Sequence, residues 1–114
     1  MPLLRITTNQ EIASDRQQEI TLKLSTLVAE MLGKPESYVM VVLQINPAMS
    51  FAGSHDPLAY IELKSLGLPE DKTTDFSGSL CQHVEHLMNI LPNRTYIEFS
   101  SPARHFWGWN SGTF

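Results

Sequence analysis

The sequence predicts an α+β fold in which a four-stranded mixed sheet carries two helices on one face. Three observations lead to this prediction. The pattern of elements runs strand, helix, strand, strand, helix, strand. The two halves resemble each other, since each helix is followed by a proline break and a strand that opens near a tyrosine, Tyr38 or Tyr96. A length of 114 residues favours a single domain, residues 1–114, with half-repeats at about 1–57 and 58–114.

The first half begins with a short strand and a long amphipathic helix. Residues 3–8 are rich in β-favouring types and predict a strand. From Ser14 to Leu32, apolar residues recur at spacings of three and four, which predicts a helix with one apolar stripe. The stripe consists of Ile20, Leu24, Leu27, Val28 and Met31. Ser14 and Gln17 suit a capping box at the start of this helix, and Gly33 is a natural stop at its end.

Residues 38–45 form the most informative local pattern, because they are apolar almost without interruption. A strand of this kind is covered on both faces. Two helices cover only one face of a four-stranded sheet, so the other face needs a different cover, and another subunit is the simplest candidate. Residues 46–57, which follow, are rich in Pro, Gly, Ser and Asp and predict a loop.

The second half repeats this order of elements. Residues 58–66 predict a third strand, residues 74–89 a second helix, and residues 95–100 a fourth strand. The apolar stripe of the second helix consists of Leu80, Val84, Leu87 and Leu91. The strands within each half are expected to be parallel and joined by right-handed crossovers. An aromatic tail follows and ends at Phe114.

Composition and charge argue against several classes of protein. Eight Lys and Arg against twelve Asp and Glu give a formal charge of −4, which argues against nucleic acid as a partner. No apolar run reaches the roughly 18 residues of a transmembrane helix, so no membrane partner is expected. No charged segment followed by a long apolar one opens the chain, which argues against a secretory signal and favours a cytoplasmic location. Cys81 is the only cysteine, so intramolecular disulfides are excluded.

Pro2 is a candidate general base. If Met1 is removed, Pro2 presents a secondary amine, and an α-amino group has an ordinary pKa of about 7.7–8.0. Burial in an apolar pocket would lower this pKa and leave a neutral base near pH 7, suited to moving a proton on carbon. If Met1 stays attached, the nitrogen is an amide and cannot act as a base. From position alone, an ordinary structural proline is the more frequent case.

Three further positions have both a functional and a structural interpretation. Lys34 lies between a helix stop and a buried strand, and would hold a substrate carboxylate or complement the dipole of the helix C-terminus. Tyr96 would donate a hydrogen bond to a substrate oxygen or pack on the core. Ser65-Leu66-Gly67 would expose a backbone N–H at a strand end or form an ordinary turn.

No metal site is predicted. His83 and His86 lie three residues apart on a helix, near Cys81, and can share a face. No second cluster completes a ligand set, and the spacing matches no common zinc motif.

Several short motifs, in this order and spacing, resemble the macrophage migration inhibitory factor family of the tautomerase superfamily over essentially all 114 residues. The motifs are Met1-Pro2, Gly33-Lys34-Pro35 with Tyr38, Met49-Ser50-Phe51-Ala52-Gly53-Ser54, Ser65-Leu66-Gly67, Asn93-Arg94-Thr95-Tyr96-Ile97 and Gly108-Trp109-Asn110-Ser111-Gly112-Thr113-Phe114. The resemblance implies a duplicated β-α-β unit that assembles as a homotrimer, with its sheets around a central channel. It also implies a cofactor-free isomerase, a phenylpyruvate tautomerase that acts on phenylpyruvate-like keto or enol acids.

The resemblance also implies roles for individual residues. Pro2 is the base, Lys34 binds the substrate carboxylate, and the backbone at Leu66, with Ser65 beside it, meets the substrate. Tyr96 reaches in from the neighbouring subunit. The family lines its aromatic pocket at positions that are occupied in this chain by Tyr38, Trp107 and Phe114.

The chain departs from the family's pattern at several positions. Glu98 stands where the best-known members have Asn, and would repel an acidic substrate or raise the pKa of Pro2 if it is close. Trp107 replaces a smaller aliphatic residue and narrows the pocket, and Lys64 replaces a frequent histidine and adds positive charge near its mouth. Leu58 and Ile61 replace the redox Cys-x-x-Cys of animal members, so thiol oxidoreductase activity through that motif is not expected.

Two other functions stay open. One is a cytokine-like signalling ligand that binds a cell-surface receptor without needing catalysis, which the resemblance implies because animal members are cytokines that bind a receptor. The other is hydration or decarboxylation of a small acid, with Glu98 activating water. Enzymes of that second kind generally place additional arginines in the site, and this function is the least favoured because the arginines are scattered along the chain. They are Arg5, Arg16, Arg94 and Arg104.

Overall fold

The computed structural model describes residues 1–114 and contains two long helices and four main strands. In chain order the elements are β1 (Leu3–Thr8), α1 (Ser14–Leu32), β2 (Met40–Ile45), β3 (Ala59–Lys64), α2 (Thr73–Met88) and β4 (Thr95–Ser100). A small hairpin of β5 (Gly108–Trp109) and β6 (Gly112–Thr113) ends the chain. The predicted α+β class and the order of elements are confirmed, whereas the terminal hairpin was not predicted. Neither long helix is apolar enough to cross a membrane.

The four main strands form one mixed sheet in the order β2-β1-β3-β4. Strand β1 is parallel to β2, and β3 is parallel to β4, as predicted for each half. The two halves meet through the antiparallel pair β1 and β3, in which Ile6 lies opposite Ile61. This topology brings the start of β1, the start of β2 and the end of β3 to one end of the sheet.

The core lies between one face of the sheet and the two helices. Leu4 and Ile6 of β1 and Ile61 and Leu63 of β3 are fully buried on this face. The helices cover them with stripes that include Ile20, Leu24 and Val28 from α1 and Leu80 and Val84 from α2. Full burial of a side chain of this size contributes about 1.5–3 kcal/mol, so this layer holds the two halves together.

Three local predictions were wrong. Leu91 is 51% exposed, because α2 ends at Met88 and the chain turns away before residue 91 reaches the helix stripe. The capping box at Ser14 does not form, since Ala13 occupies the N-cap position without a side-chain hydrogen bond. Instead, Nε2 of Gln17 donates to the carbonyl of Ile12 at 2.7 Å. The second strand begins at Met40 rather than at the predicted residue 38, because the segment Glu36–Tyr38 after the proline forms a 3₁₀ turn.

The face of the sheet opposite the helices is open in one protomer. Met40 and Val42 of β2 point to this face and are 63% and 38% exposed, and Tyr96 of β4 is 66% exposed. The coverage of residues 38–45 on both faces therefore stays a prediction that requires a second molecule.

Candidate active site

A cavity of about 430 Å³ opens at the end of the sheet where β1 and β2 begin and β3 ends. Its lining combines an amino terminus, two cationic side chains, two aromatic rings and the turn after β3. The lining residues are Met1, Lys34, Tyr38, Leu66, Gly67, Arg104 and Phe114. No Asp or Glu side chain lines the cavity, so its local charge is positive although the chain is acidic overall.

The end of α1 positions Lys34 in this cavity. Gly33 has a φ of +62°, and the backbone N–H of Lys34 reaches back to the carbonyl of Ala29 at 3.0 Å. This left-handed turn favours glycine, and it directs the chain from the helix to the edge of the cavity. The Nζ atom of Lys34 donates to Oγ of Ser65 at 2.9 Å and to the carbonyl of Leu66. The structure thus brings Lys34, Ser65 and Leu66 together.

The turn after β3 also presents a backbone donor. Ser65 is fully buried, and its N–H bonds to the carbonyl of Ser100 at 3.1 Å. The N–H of Leu66 has no acceptor within the chain, and Gly67 has a φ of +66° that ends the strand sharply. A free N–H at the edge of a cationic cavity can donate to an oxygen of a bound ligand.

Met1 lines the cavity, and Pro2 lies directly behind it without being part of the lining. Pro2 is fully buried, and its carbonyl accepts a hydrogen bond from the N–H of Met40 at 3.0 Å. The amino group of Met1 lies beside Lys34, and its pKa is lowered from the usual 8.0, first by burial and then by the positive charge of Lys34. An amine at this position is therefore biased toward its neutral form.

Aromatic rings form one wall of the cavity. Tyr38 meets Trp109 edge to face with ring centroids 5.6 Å apart, and Trp109 stacks on Phe114 at 5.9 Å. Trp107 was predicted to line the pocket, but it is absent from the lining. Its N–H bonds to the carbonyl of Arg104 and its carbonyl accepts from Phe114, both at 3.2 Å, so its backbone holds two lining residues in place.

Two residues predicted for the pocket, Lys64 and Glu98, lie on the open face of the sheet instead. Lys64 is the last residue of β3, opposite Leu3, and does not line the cavity. Glu98 accepts a hydrogen bond from the hydroxyl of Tyr60 at 3.3 Å. Because β3 separates β4 from β1, Glu98 is not a neighbour of Pro2 within one chain. Glu98 could therefore raise the pKa of Pro2 only if it came from a second molecule.

Tyr96 also lies away from the cavity of its own chain. It begins β4 and packs against Phe51, with ring centroids 4.7 Å apart. Ser100, at the cavity end of β4, is four residues further on, a distance of about 13 Å along the strand. Tyr96 can therefore meet such a cavity only in another copy of the chain.

The sequence analysis missed Arg104. Its side chain lines the cavity and makes no hydrogen bond or ion pair within the chain, so the conclusion that the arginines are merely scattered was wrong for this residue. The signal that could have found it is its place just before the aromatic tail, since that tail carries Phe114 of the lining.

The histidines of α2 do not assemble a metal centre. The structure contains no group of three or more His, Cys, Asp or Glu side chains placed to hold a metal ion. Nδ1 of His83 is 2.8 Å from the carbonyl of Ser79 on the same helix. Burial raises the pKa of the Cys81 thiol, which keeps it in the less reactive protonated form.

Comparisons with known proteins agree on one family. The family model described as macrophage migration inhibitory factor matches residues 1–114. Among curated proteins, a macrophage migration inhibitory factor homolog from Trichinella spiralis is 35% identical over 115 residues, covering 100% of both chains. Macrophage migration inhibitory factor from Xenopus tropicalis is 35% identical over 118 residues, covering 100% of this chain and 99% of the relative.

Solved structures give the same result for the fold. The crystal structure of the macrophage migration inhibitory factor homologue from Prochlorococcus marinus superposes with a TM-score of 0.92 at 38% identity, covering 98% of each chain. The structure from Trichinella spiralis gives a TM-score of 0.91 at 34% identity, covering 98% of this chain and 99% of the other.

Proposed function

The chain belongs to the macrophage migration inhibitory factor family, and from this premise we propose that it is a cofactor-free keto–enol tautomerase of phenylpyruvate-like 2-keto acids. The observation that carries the proposal is that the buried Pro2 directly follows Met1, whose amino group lines a cationic, partly aromatic cavity. An aromatic 2-keto acid combines a negative carboxylate, a polar keto group and an apolar ring, and the lining offers a partner for each.

Removal of Met1 is the first requirement of this function. With Met1 attached, the Pro2 nitrogen is an amide without basicity, and Met1 itself fills part of the cavity. Without Met1, the Pro2 nitrogen becomes a secondary amine that faces the space Met1 vacated. The burial and positive charge that lower the pKa of the Met1 amine would act on the Pro2 amine as well.

In the proposed reaction, the neutral Pro2 amine removes a proton from the carbon next to the keto group. The electrons of the broken C–H bond form a carbon–carbon double bond, and negative charge develops on the keto oxygen. Pro2 then delivers the same proton to that oxygen, so the enol forms with no net gain or loss of atoms or electrons. A positioned base of this kind typically contributes about 10²–10⁴-fold.

Two groups of the cavity would stabilise the developing negative charge. The ammonium of Lys34 uses two of its three N–H donors on Ser65 and Leu66, which fixes its position and leaves one donor for substrate. The unpaired N–H of Leu66 offers a second donor. Donors held in place before the reaction lower the barrier because they need no reorganisation as charge develops.

The complete site is proposed to require a trimer. The open sheet face exposes Met40, Val42 and Tyr96, and burial of these side chains against other copies would stabilise an assembly. Tyr96 would then reach the cavity of a neighbouring copy and donate its hydroxyl to substrate, a role that its position excludes within one chain. The partners in this proposal are two further copies of the chain and a small keto or enol acid.

Replacing Pro2 tests the proposal. Met-free Pro2→Gly protein keeps an amino terminus but loses the secondary amine, and its phenylpyruvate tautomerase activity should fall by at least about tenfold. Intact mass spectrometry must first show that Met1 is absent from both proteins. Unchanged activity in the variant would remove Pro2 from the mechanism, and absence of activity in the Met-free parent protein would overturn the function itself.

A further inference from the structure

Arg94 joins two sequence motifs that the proposed chemistry has not used. One motif, Met49–Ser54, lies in the loop before β3, and the other, Asn93-Arg94-Thr95, leads into β4. Phe51 of the first motif and Arg94 of the second are 43 positions apart in the chain, yet their atoms are in direct contact. The contact therefore ties the loop before β3 to the start of β4.

The guanidinium of Arg94 holds this loop by its backbone carbonyls. Its donors reach the carbonyls of Phe51 and Asp56, both at 2.8 Å. Longer hydrogen bonds reach the carbonyls of Ser54 at 3.2 Å and Pro57 at 3.4 Å. A lysine ammonium carries its three donors on one atom and could not span four carbonyls spread along a loop, whereas the planar guanidinium can.

The loop in turn holds the ring of Phe51 in place. Phe51 and Ser54 exchange two backbone hydrogen bonds, each at 3.0 Å, across the intervening tight turn. The guanidinium carbon of Arg94 lies 5.2 Å from the centre of the Phe51 ring, which is within the range of a cation–π contact. The same ring packs edge to face on Tyr96, with centroids 4.7 Å apart and ring planes at 61°.

Tyr96 has little other support within the chain. Its side chain is 66% exposed on the open sheet face. Its hydroxyl has no hydrogen-bond partner, whereas the hydroxyl of Tyr60, opposite it on β3, donates to Glu98 at 3.3 Å. A tyrosine can rotate between staggered positions about χ1, and each position sends the hydroxyl in a different direction. Contact with the Phe51 ring favours one of these positions.

We propose that Arg94 and Phe51 are positioning residues that hold the Tyr96 hydroxyl in the orientation in which it meets substrate in the cavity of a neighbouring copy. This inference rests on the proposed function, in which Tyr96 is a donor to substrate, and adds two residues that touch no substrate themselves. Arg94 acts on the loop, the loop fixes Phe51, and Phe51 fixes the Tyr96 ring. A donor that is already oriented needs no reorganisation as negative charge develops on substrate.

A double-mutant cycle on Met-free protein tests this chain of contacts. Arg94→Lys keeps the charge but loses the planar fork, and Phe51→Leu keeps an apolar side chain but loses the ring. Each change is made in the parent protein and in Tyr96→Phe, which has no hydroxyl left to orient. Arg16→Lys is the matched control, because Arg16 lies on α1 and donates to one carbonyl, that of Leu87 at 3.1 Å. Light scattering and urea unfolding select variants that keep the mass and fold of the parent, and Phe51→Leu carries the test if Arg94→Lys does not fold.

Tyr96→Phe should lower kcat/KM for phenylpyruvate about tenfold, the loss expected for one hydrogen bond to substrate. Arg94→Lys and Phe51→Leu should each lower it about threefold or more in the parent and less than about 1.5-fold in Tyr96→Phe, because they act through the missing hydroxyl. Arg16→Lys should match the parent. Equal losses in the two backgrounds would indicate a general structural effect and overturn the proposal, as would the absence of any loss in the parent.

A second measurement requires no enzymatic activity. Protein labelled with fluorotyrosine contains three labelled rings, and the fluorine-19 NMR signal missing from Tyr96→Phe belongs to Tyr96. Phe51→Leu and Arg94→Lys should both shift this signal, because the ring current of Phe51 is lost or displaced, and Arg16→Lys should leave it in place.

The two measurements separate this inference from the tautomerase proposal. Shifts of the Tyr96 signal in a protein that does not tautomerise phenylpyruvate would support the positioning and reject the catalytic function. An active tautomerase whose Tyr96 signal stays in place in Arg94→Lys and Phe51→Leu would overturn the positioning and leave the catalytic function standing.

Discussion

Replacing Lys34 by methionine removes one charge from the cavity while keeping the length and apolar stem of the side chain. The lost groups are known from the structure: Nζ donates to Oγ of Ser65 at 2.9 Å and to the carbonyl of Leu66. Ser65 is fully buried, but its hydroxyl already lies 3.3 Å from the carbonyl of Leu66 and can donate to it without Lys34. The free energy of unfolding should therefore fall by only about 1 kcal/mol.

The effect of Lys34→Met on catalysis should be much larger than its effect on stability. A hydrogen bond from a charged group to a developing oxyanion contributes about 1.5–3 kcal/mol, which corresponds to a loss of about 10- to 150-fold in kcat/KM for phenylpyruvate. The variant should also change the pH profile. Lys34 lowers the pKa of the amino terminus, so its removal raises that pKa and protonates the base at higher pH. Activity is lost as pH falls through the pKa of the base, and the loss should therefore be greater at pH 6 than at pH 8.5.

The assay is the rate of enol formation from phenylpyruvate between pH 5.5 and 9, with unfolding in urea measured on the same samples. Lys23→Met is the matched control, because Lys23 is an exposed residue of α1 whose only ion pair is with Glu19 at 2.8 Å. The control should match the parent protein in both measurements. The reasoning would be refuted if Lys34→Met retained kcat/KM within about twofold of the parent and kept the same pH midpoint.

Three further predictions concern assembly, the core and the open sheet face. Val42→Asp on that face should yield a 12.9 kDa monomer by light scattering. The control Leu22→Asp, at a 69% exposed apolar site on α1, should leave the assembly intact. Equal masses for the two variants would contradict the predicted interface. Ile61→Ala should lower the free energy of unfolding, measured in urea, by about 2–5 kcal/mol, because Ile61 is fully buried. A loss below about 0.5 kcal/mol, which is typical of a surface site, would contradict its place in the core. Partial burial, followed by the charge of Glu98, raises the pKa of Tyr60 above its usual 10.0. Glu98→Gln should therefore lower the pKa of Tyr60 in a spectrophotometric titration, and an unchanged value would exclude their contact.

Much of the fold could be predicted because its signals are local and repeated. The apolar spacing and the stop at Gly33 predicted α1, and the residue pattern at 95–100 predicted the fourth strand. The errors lie at positions where competing local interactions decide the structure. Gln17 bonds to Ile12 rather than closing a capping box, and the terminal hairpin consists of two-residue strands too short to produce a periodic pattern.

The candidate site was only partly accessible from the sequence. Lys34, Ser65 and Leu66 could be grouped because family motifs carry them, and the structure brings them within hydrogen-bond distance. The place of Arg104 just before the aromatic tail was the only sequence signal for it, and its approach to the cavity depends on how that tail folds. For Tyr96 and the other residues of the open face, the proposed neighbours belong to other copies of the chain, and no pattern within one sequence gives their distances.

The central claim is that the surroundings of the Pro2 amine lower its pKa below the usual value of an amino terminus in the folded, Met-free protein. Nitrogen-15 labelling of proline and an NMR titration of the Pro2 nitrogen measure this property directly, with no substrate required. The account predicts a midpoint below 8.0, the usual value for an amino terminus. A midpoint at or above that value would contradict it.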